Sequence, residues 1–156
     1  TDALTGLYNR SYLDEFIRTH NDDCYPLAII SADCDGLKEI NDTYGHTAGD
    51  EYIKAAVSLF KMVLPQECIL FRMGGDEFAV FLQGKVDSEL AKKKADMILE
   101  EIRNIQVEGV GKPVSASIGV AISPRDGATF PQLYRAADTA MYRVKKSDKD
   151  GFCISR

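Results

Sequence analysis

Hydrophobic and polar positions alternate between two periods along this chain. Tyr12, Leu13, Phe16 and Ile17 have helical spacing and follow the turn-like Tyr8-Asn9-Arg10. The run from Leu27 to Asp33 follows Pro26 and stops at acidic residues, as a buried strand does. Ile53, Ala56, Val57 and Phe60 form a helical stripe that begins near Gly49-Asp50 and ends before Pro65. Ile69–Met73 and Phe78–Leu82 read as two strands around the tip Gly74-Gly75-Asp76-Glu77, where glycine can supply the positive φ of a tight loop. Asp87-Ser88 opens a long helix with Leu90, Ala95, Ile98, Leu99, Ile102 and Ile105 on one face. Val114–Ile122 alternates serine with apolar residues and reads as a strand. Thr129-Phe130-Pro131 opens a last helix carrying Leu133, Tyr134, Ala137, Met141 and Val144, before a short final strand. This order predicts an α/β or α+β sheet with helices over at least one face. No internal repeat or low-complexity linker interrupts it.

Composition narrows the function classes. A length of 156 residues predicts one domain with a core that needs no staple. Lys and Arg number 19 against 24 Asp and Glu, a net charge of −5. That balance argues against gripping a nucleic-acid backbone. No apolar run approaches the roughly 18 residues of a transmembrane helix, and Thr1–Arg10 lacks the apolar stretch of a signal peptide. Cys24, Cys34, Cys68 and Cys153 form no C-x-x-C pair, and His20 and His46 complete no zinc spacing. A reducing cytoplasm is the simplest expectation. The chain begins without Met, which suggests a piece cut from something longer.

Two acidic patterns are candidates for chemistry. Asp33-Cys34-Asp35-Gly36 ends the first buried strand, and period two puts both carboxylates on one side if the strand runs that far. Ligands of α/β sheets bind at such strand ends. The bland alternative is a solvated turn. An EF-hand is excluded, because the glycine falls at position four of the pattern and not at six. The second pattern is the tip with Asp76 and Glu77, whose bland reading is a soluble turn. Together, a strand-end carboxylate and a hairpin-tip carboxylate can hold one or two Mg²⁺ ions against a nucleotide triphosphate. No P-loop occurs, and Gly109–Pro113 is only a fragment of one. No G-x-S-x-G or triad pattern occurs, and His20 reads as structural. Lys145, Lys146 and Lys149 follow the last helix. Lys145 and Lys149 lie one turn apart and can face one anion, or simply complement the helix dipole.

The tip Gly74-Gly75-Asp76-Glu77-Phe78 is the signature of the GGDEF family of diguanylate cyclases, and the chain resembles that family in five ordered blocks. These are Asp2–Arg10; Asp33–Lys38 with Ile40-Asn41-Asp42, Gly45-His46 and Gly49-Asp50; the signature; Ser117–Ala121; and Ala137-Asp138, Ala140–Tyr142 with Lys145. The match runs from Thr1 to about Gly151. The resemblance implies an α+β fold, a central, mostly antiparallel sheet of about five strands with flanking helices, resembling the palm of nucleotidyl cyclases and polymerases. It implies a single GGDEF domain over residues 1–156, taken from a longer multidomain signalling protein of the cytoplasm or one that a neighbouring segment anchors to the membrane. The implied reaction joins two GTP into cyclic di-GMP and two pyrophosphates across a homodimer.

Carried over residue by residue, Asp33, Asp76 and Glu77 are the expected catalytic and metal carboxylates, with the Cys34 backbone carbonyl as a further ligand for two Mg²⁺ (or Mn²⁺) ions. Asn41 and Asp50 match the guanine-reading positions. A carboxylate suits the donors of guanine N1 and N2. Asp35, Gly36, Leu37 and Lys38 through their amides, with Lys145 and Lys149, match the phosphate-binding positions. The implied partners are GTP, a second GGDEF domain and the parent protein's regulatory domain, with no nucleic acid and no membrane insertion by this segment. The alternative is a catalytically silent GTP-binding GGDEF module that regulates an adjacent domain. Three departures stand out. Lys149 replaces a more usual Arg and loses its bidentate fork. Pro65-Gln66-Glu67-Cys68 stands where many relatives carry an R-x-x-D product-inhibition site, so no feedback through that site is expected. Gly36-Leu37 replaces a bulkier aromatic pair.

Overall fold

A computed structural model describes residues 2–20, 27–64, 68–83, 88–107, 109–111, 114–123, 125–127, 129–147 and 151–154. The elements run α1 (Arg10–His20), β1 (Leu27–Asp35), α2 (Leu37–Tyr44), α3 (His46–Val63), β2 (Ile69–Arg72), β3 (Glu77–Gln83), α4 (Ser88–Arg103), β4 (Ser115–Ile122), α5 (Phe130–Lys146) and β5 (Gly151–Ile154). The five strands form one sheet in the order β2-β3-β1-β4-β5. Every pairing is antiparallel except β4 with β5, which is parallel. Among the described residues, no helix is long and apolar enough to cross a membrane.

Helices cover both faces, so β1 is buried on both sides. Ala28, Ile30, Ala32 and Cys34 pack with residues of α2, α3 and α4 such as Ile40, Ile53 and Ile98. Ile29 faces the other way, into a second core with Leu13 of α1 and Phe130, Leu133 and Ala137 of α5. Period two therefore assigns Asp33 and Asp35 to the α1/α5 side. Gly119 of β4 lies directly under α5. A Cβ there would strike the Ala137 carbonyl and the Met141 amide, so glycine lets the helix rest its backbone on the sheet.

Local signals account for most boundaries. Asn9 Oδ1 accepts from the Tyr12 amide at 3.0 Å and caps α1. Thr129 caps α5 through the Gln132 amide, with proline in the first turn. Several expectations need correction. α2 is an additional helix, and α3 starts at His46, not near Gly49. Gly45, with φ 96°, ends one helix and starts the next, which a stripe of only Leu37 and Ile40 does not announce. Leu90 of α4 is exposed, and Ile105 lies beyond the helix end. Lys145 and Lys146 lie inside α5 and not after it. Neither Gly74 nor Gly75 has positive φ.

Candidate functional site

β1 runs to Asp35, so Asp33 stands in the ladder between Glu77 of β3 and Ser117 of β4. The Cys34 amide donates to the Asp76 carbonyl at 2.9 Å, and the Met73 amide donates to the Glu77 carbonyl at 2.8 Å. The first bond ties the signature turn to the end of β1, and the second closes the hairpin itself. Asp33 is buried. Its Oδ2 accepts from Lys145 Nζ at 2.6 Å, and its Oδ1 has no hydrogen-bond partner. Burial pushes its carboxyl up to about 7, with the Asp76 charge adding to the rise and Lys145 opposing it. Burial pulls Lys145 down, but the bond to Asp33 outweighs it, and the amine ends above its ordinary value.

Glu77 and Asp138 of α5 lie close enough to repel one another. Burial raises both, the Asp138 and Asp76 charges raise Glu77 further, and Arg10 at the start of α1 offsets part of each rise. The α1/α5 side of the site is thus crowded with acidic groups that share Lys145 and Arg10.

Asp35 differs. Its Oδ1 accepts from Ser117 Oγ at 2.8 Å and its Oδ2 from Ser115 Oγ at 2.7 Å. Its carboxylate is turned into the sheet. The expectation for Asp35 concerned its backbone, and there the geometry is open: Gly36, at φ 73°, leads into α2 with no side-chain cap on the first-turn amides. The N–H groups of Leu37 and Lys38 thus belong to a helix start that suits an anion. Asn41 of α2 lies against Gly49 of α3, the residue before Asp50. Asn41 Oδ1 occupies the space a Cβ of Gly49 would fill, so glycine at 49 admits the Asn41 amide beside Asp50. Asp50 is exposed. Lys149 and residues 65–67 of the product-inhibition segment lie outside the described residues.

The clamp that holds the tip was missed. Arg72 Nε donates to the Gly74 carbonyl at 3.1 Å and Nη2 to the Gly75 carbonyl at 2.7 Å. Its Nη1 donates to Asp2 Oδ2 at 3.0 Å, and Asp2 also accepts from the amide and hydroxyl of Thr5. A guanidinium with five donors, not glycine dihedrals, holds the loop. An arginine two residues ahead of a tip whose carbonyls lack ladder partners was the available signal. A cavity of about 410 Å³ opens beside the clamp, between Asn9–Ser11 and Met73–Gly75.

No group of three or more His, Cys, Asp and Glu side chains arranged for a metal occurs among the described residues. The donor set nevertheless fits Mg²⁺, which usually takes one or two carboxylates and completes its shell with water and substrate phosphates. The buried, unpartnered Asp33 Oδ1 next to the Asp76 charge is the observation that fits.

A sheet of this order, with carboxylates at the end of its central strand and at an adjacent hairpin, defines a nucleotidyl cyclase-type palm. The family model for the diguanylate cyclase GGDEF domain matches residues 1–151, and the chain belongs to that family. It is 30% identical to the probable diguanylate cyclase DgcT of Escherichia coli K12 over 96% of this chain and 34% of that protein. It is 32% identical to the cyclic di-GMP phosphodiesterase PdeR of the same strain, over 99% of this chain and 24% of PdeR. It therefore spans only a quarter to a third of these curated relatives. The GGDEF domain of TpbB (YfiN) from Pseudomonas aeruginosa superposes with a TM-score of 0.88 at 32% identity, covering 99% of this chain and 94% of that one.

Proposed function

We propose that this domain is one half of a diguanylate cyclase, the output unit of a longer cytoplasmic or membrane-anchored signalling protein, joining two GTP into cyclic di-GMP and two pyrophosphates. The observation that carries the reading is the pair Asp33 and Asp76, one with an unpartnered buried oxygen and the other tied by its own carbonyl to the next residue of β1. Asp33 and Asp76, with the Cys34 carbonyl and Glu77 alongside, would hold Mg²⁺, which when bound would neutralise the phosphates and favour loss of the proton from an attacking 3′-hydroxyl.

The chain's own groups do the rest. Asn41 and Asp50 read the donor edge of guanine. The first-turn amides of α2 receive the β- and γ-phosphates. Lys145 is shared: in the free protein it neutralises Asp33, and with nucleotide present it turns to phosphate, with Lys149 beside it. Each domain brings one α-phosphate and one 3′-hydroxyl, so a second copy completes the reaction. The test incubates the domain, alone and fused to a dimerising tag, with GTP and Mg²⁺. Cyclic di-GMP in the chromatogram supports the reading; GTP binding without product at any concentration overturns it.

The second reading is a silent GTP-binding module. Its support is that one relative matched over the same stretch is called a phosphodiesterase. It predicts nucleotide affinity and an altered neighbour, but no turnover to lose in D76A. In either case Pro65–Cys68 lacks the R-x-x-D pattern. Calorimetry with cyclic di-GMP at micromolar concentrations checks that no product site operates there.

A further inference from the structure

α5 has two flanks. One carries Tyr134, Asp138, Tyr142 and Lys145 towards the carboxylates described above. The other lines a separate depression of about 370 Å³ with Gln132, Arg135, Thr139 and Arg143, closed by Arg125 and Asp126 from the loop after β4. That volume lies near the lower end of ligand pockets, about 300–1,000 Å³.

The charge there runs against the rest of the molecule. The chain carries −5 overall, yet three guanidinium groups and one carboxylate line this depression. The carboxylate is already committed. The Asp126 side chain is buried, accepts from the Ile122 amide at 2.8 Å, and binds Arg125 through both oxygens at 3.1 and 3.0 Å. Asp126 therefore acts as a fixed mount for Arg125 more than as a competitor for the ligand. Among the described residues, no carboxylate pairs with Arg135 or Arg143. They stand two helical turns apart, about 12 Å along the axis, with the Thr139 hydroxyl midway.

We propose that this depression binds a small phosphate-bearing anion, independently of the catalytic face. Guanidinium forks match phosphate oxygens two at a time. No aromatic or large aliphatic side chain lines it, Ala136 being its one aliphatic residue, so it lacks the anchors that seat a peptide. The two phosphate sources nearest to hand, if the proposed reaction is right, are pyrophosphate and a cyclic dinucleotide. The site does not depend on that reading, because its residues are not those of the catalysis.

The test records amide chemical shifts of the domain without metal, during separate titrations with sodium pyrophosphate, cyclic di-GMP and an oligoglutamate peptide. Saturable shifts at residues 125–126 and 135–143 with either phosphate compound are expected. They should weaken at least about tenfold in R135A/R143A, a change of two exposed positions on a helix, while any shifts near Asp33 and Lys145 persist. The arm that saturates identifies the source. No saturable shifts on this flank, shifts unchanged in the double variant, or binding by oligoglutamate alone each overturn the proposal. Failure of the catalytic reading would appear elsewhere, as absence of product in the assay with GTP and Mg²⁺, and would leave the shifts on this flank unchanged.

Discussion

Asp33 and Asp35 are two residues apart on one strand, face the same side and are both buried, yet the fold treats them oppositely. Asp35 takes a hydroxyl on each oxygen from β4 and is held against that strand. Asp33 has one lysine on one oxygen and nothing on the other, and its carboxyl sits near pH 7. A carboxylate with a donor on each oxygen holds a strand end in place. One left half-satisfied beside a second acid keeps capacity for a cation. Any loss of function on substituting the first should therefore come through stability, and on substituting the second through chemistry.

The largest effect comes from the acid beside Asp33, set against Asp35. D76A should lower cyclic di-GMP formation by about 10³-fold, the scale of several kcal/mol of lost charge stabilisation, while leaving the thermal midpoint within a few degrees. Turnover at wild-type rates would place the chemistry elsewhere. D35A should do the reverse. It strands the Ser115 and Ser117 hydroxyls and should cost about 2–4 kcal/mol in urea unfolding. A stable D35A protein would show that the serines find other acceptors and that the contrast is overstated.

The next effect concerns the tip. R72A removes the donors to the Gly74 and Gly75 carbonyls and the link to Asp2. It leaves the guanine and phosphate positions of α2 and α3 untouched. Misplacing Asp76 by a fraction of an ångström should cut kcat about ten- to a hundredfold, with GTP affinity within a factor of about three. R72K keeps one charge but not the fork, and should rescue little. Equal loss of GTP affinity and kcat would mean the clamp supports the whole nucleotide site and not the hairpin alone.

Much of this was legible beforehand. The strands announced themselves because β1, β3 and β4 are continuous or alternating apolar runs bounded by glycine, proline or acids. The signature and its ordered companions pointed to the family. What stayed hidden depends on who sits beside whom. Asp33 and Asp35 look alike until β4, some 80 residues away, is laid against β1. Arg72 and Asp2 are 70 residues apart, and nothing local to either predicts their pairing. α2 escaped because only two of its eight residues, Leu37 and Ile40, are buried, too few to stand out as a stripe.

The smallest effect is a slope. In the unfolded chain Asp33 titrates near 3.8, and in the fold near 7. Between those values the folded protein keeps a proton the unfolded chain has lost, so unfolding releases protons and stability falls as pH rises through that window. Glu77 and Asp138, also raised, act in the same direction, whereas Asp2, lowered by Thr5 and Arg72 against the pull of burial, acts in the opposite one. The difference between wild type and D33N isolates the Asp33 share. Without metal, the thermal midpoint of wild type should drop from pH 5 to pH 7.5 by more than that of D33N. Saturating Mg²⁺ should raise the wild-type midpoint at pH 7.5, where the carboxyl has given up its proton, and have less effect at pH 5, where proton and cation compete. A parallel pH response in both proteins would mean that Lys145 already neutralises Asp33 in full. The distinction between the two aspartates would then rest on the unpartnered oxygen alone.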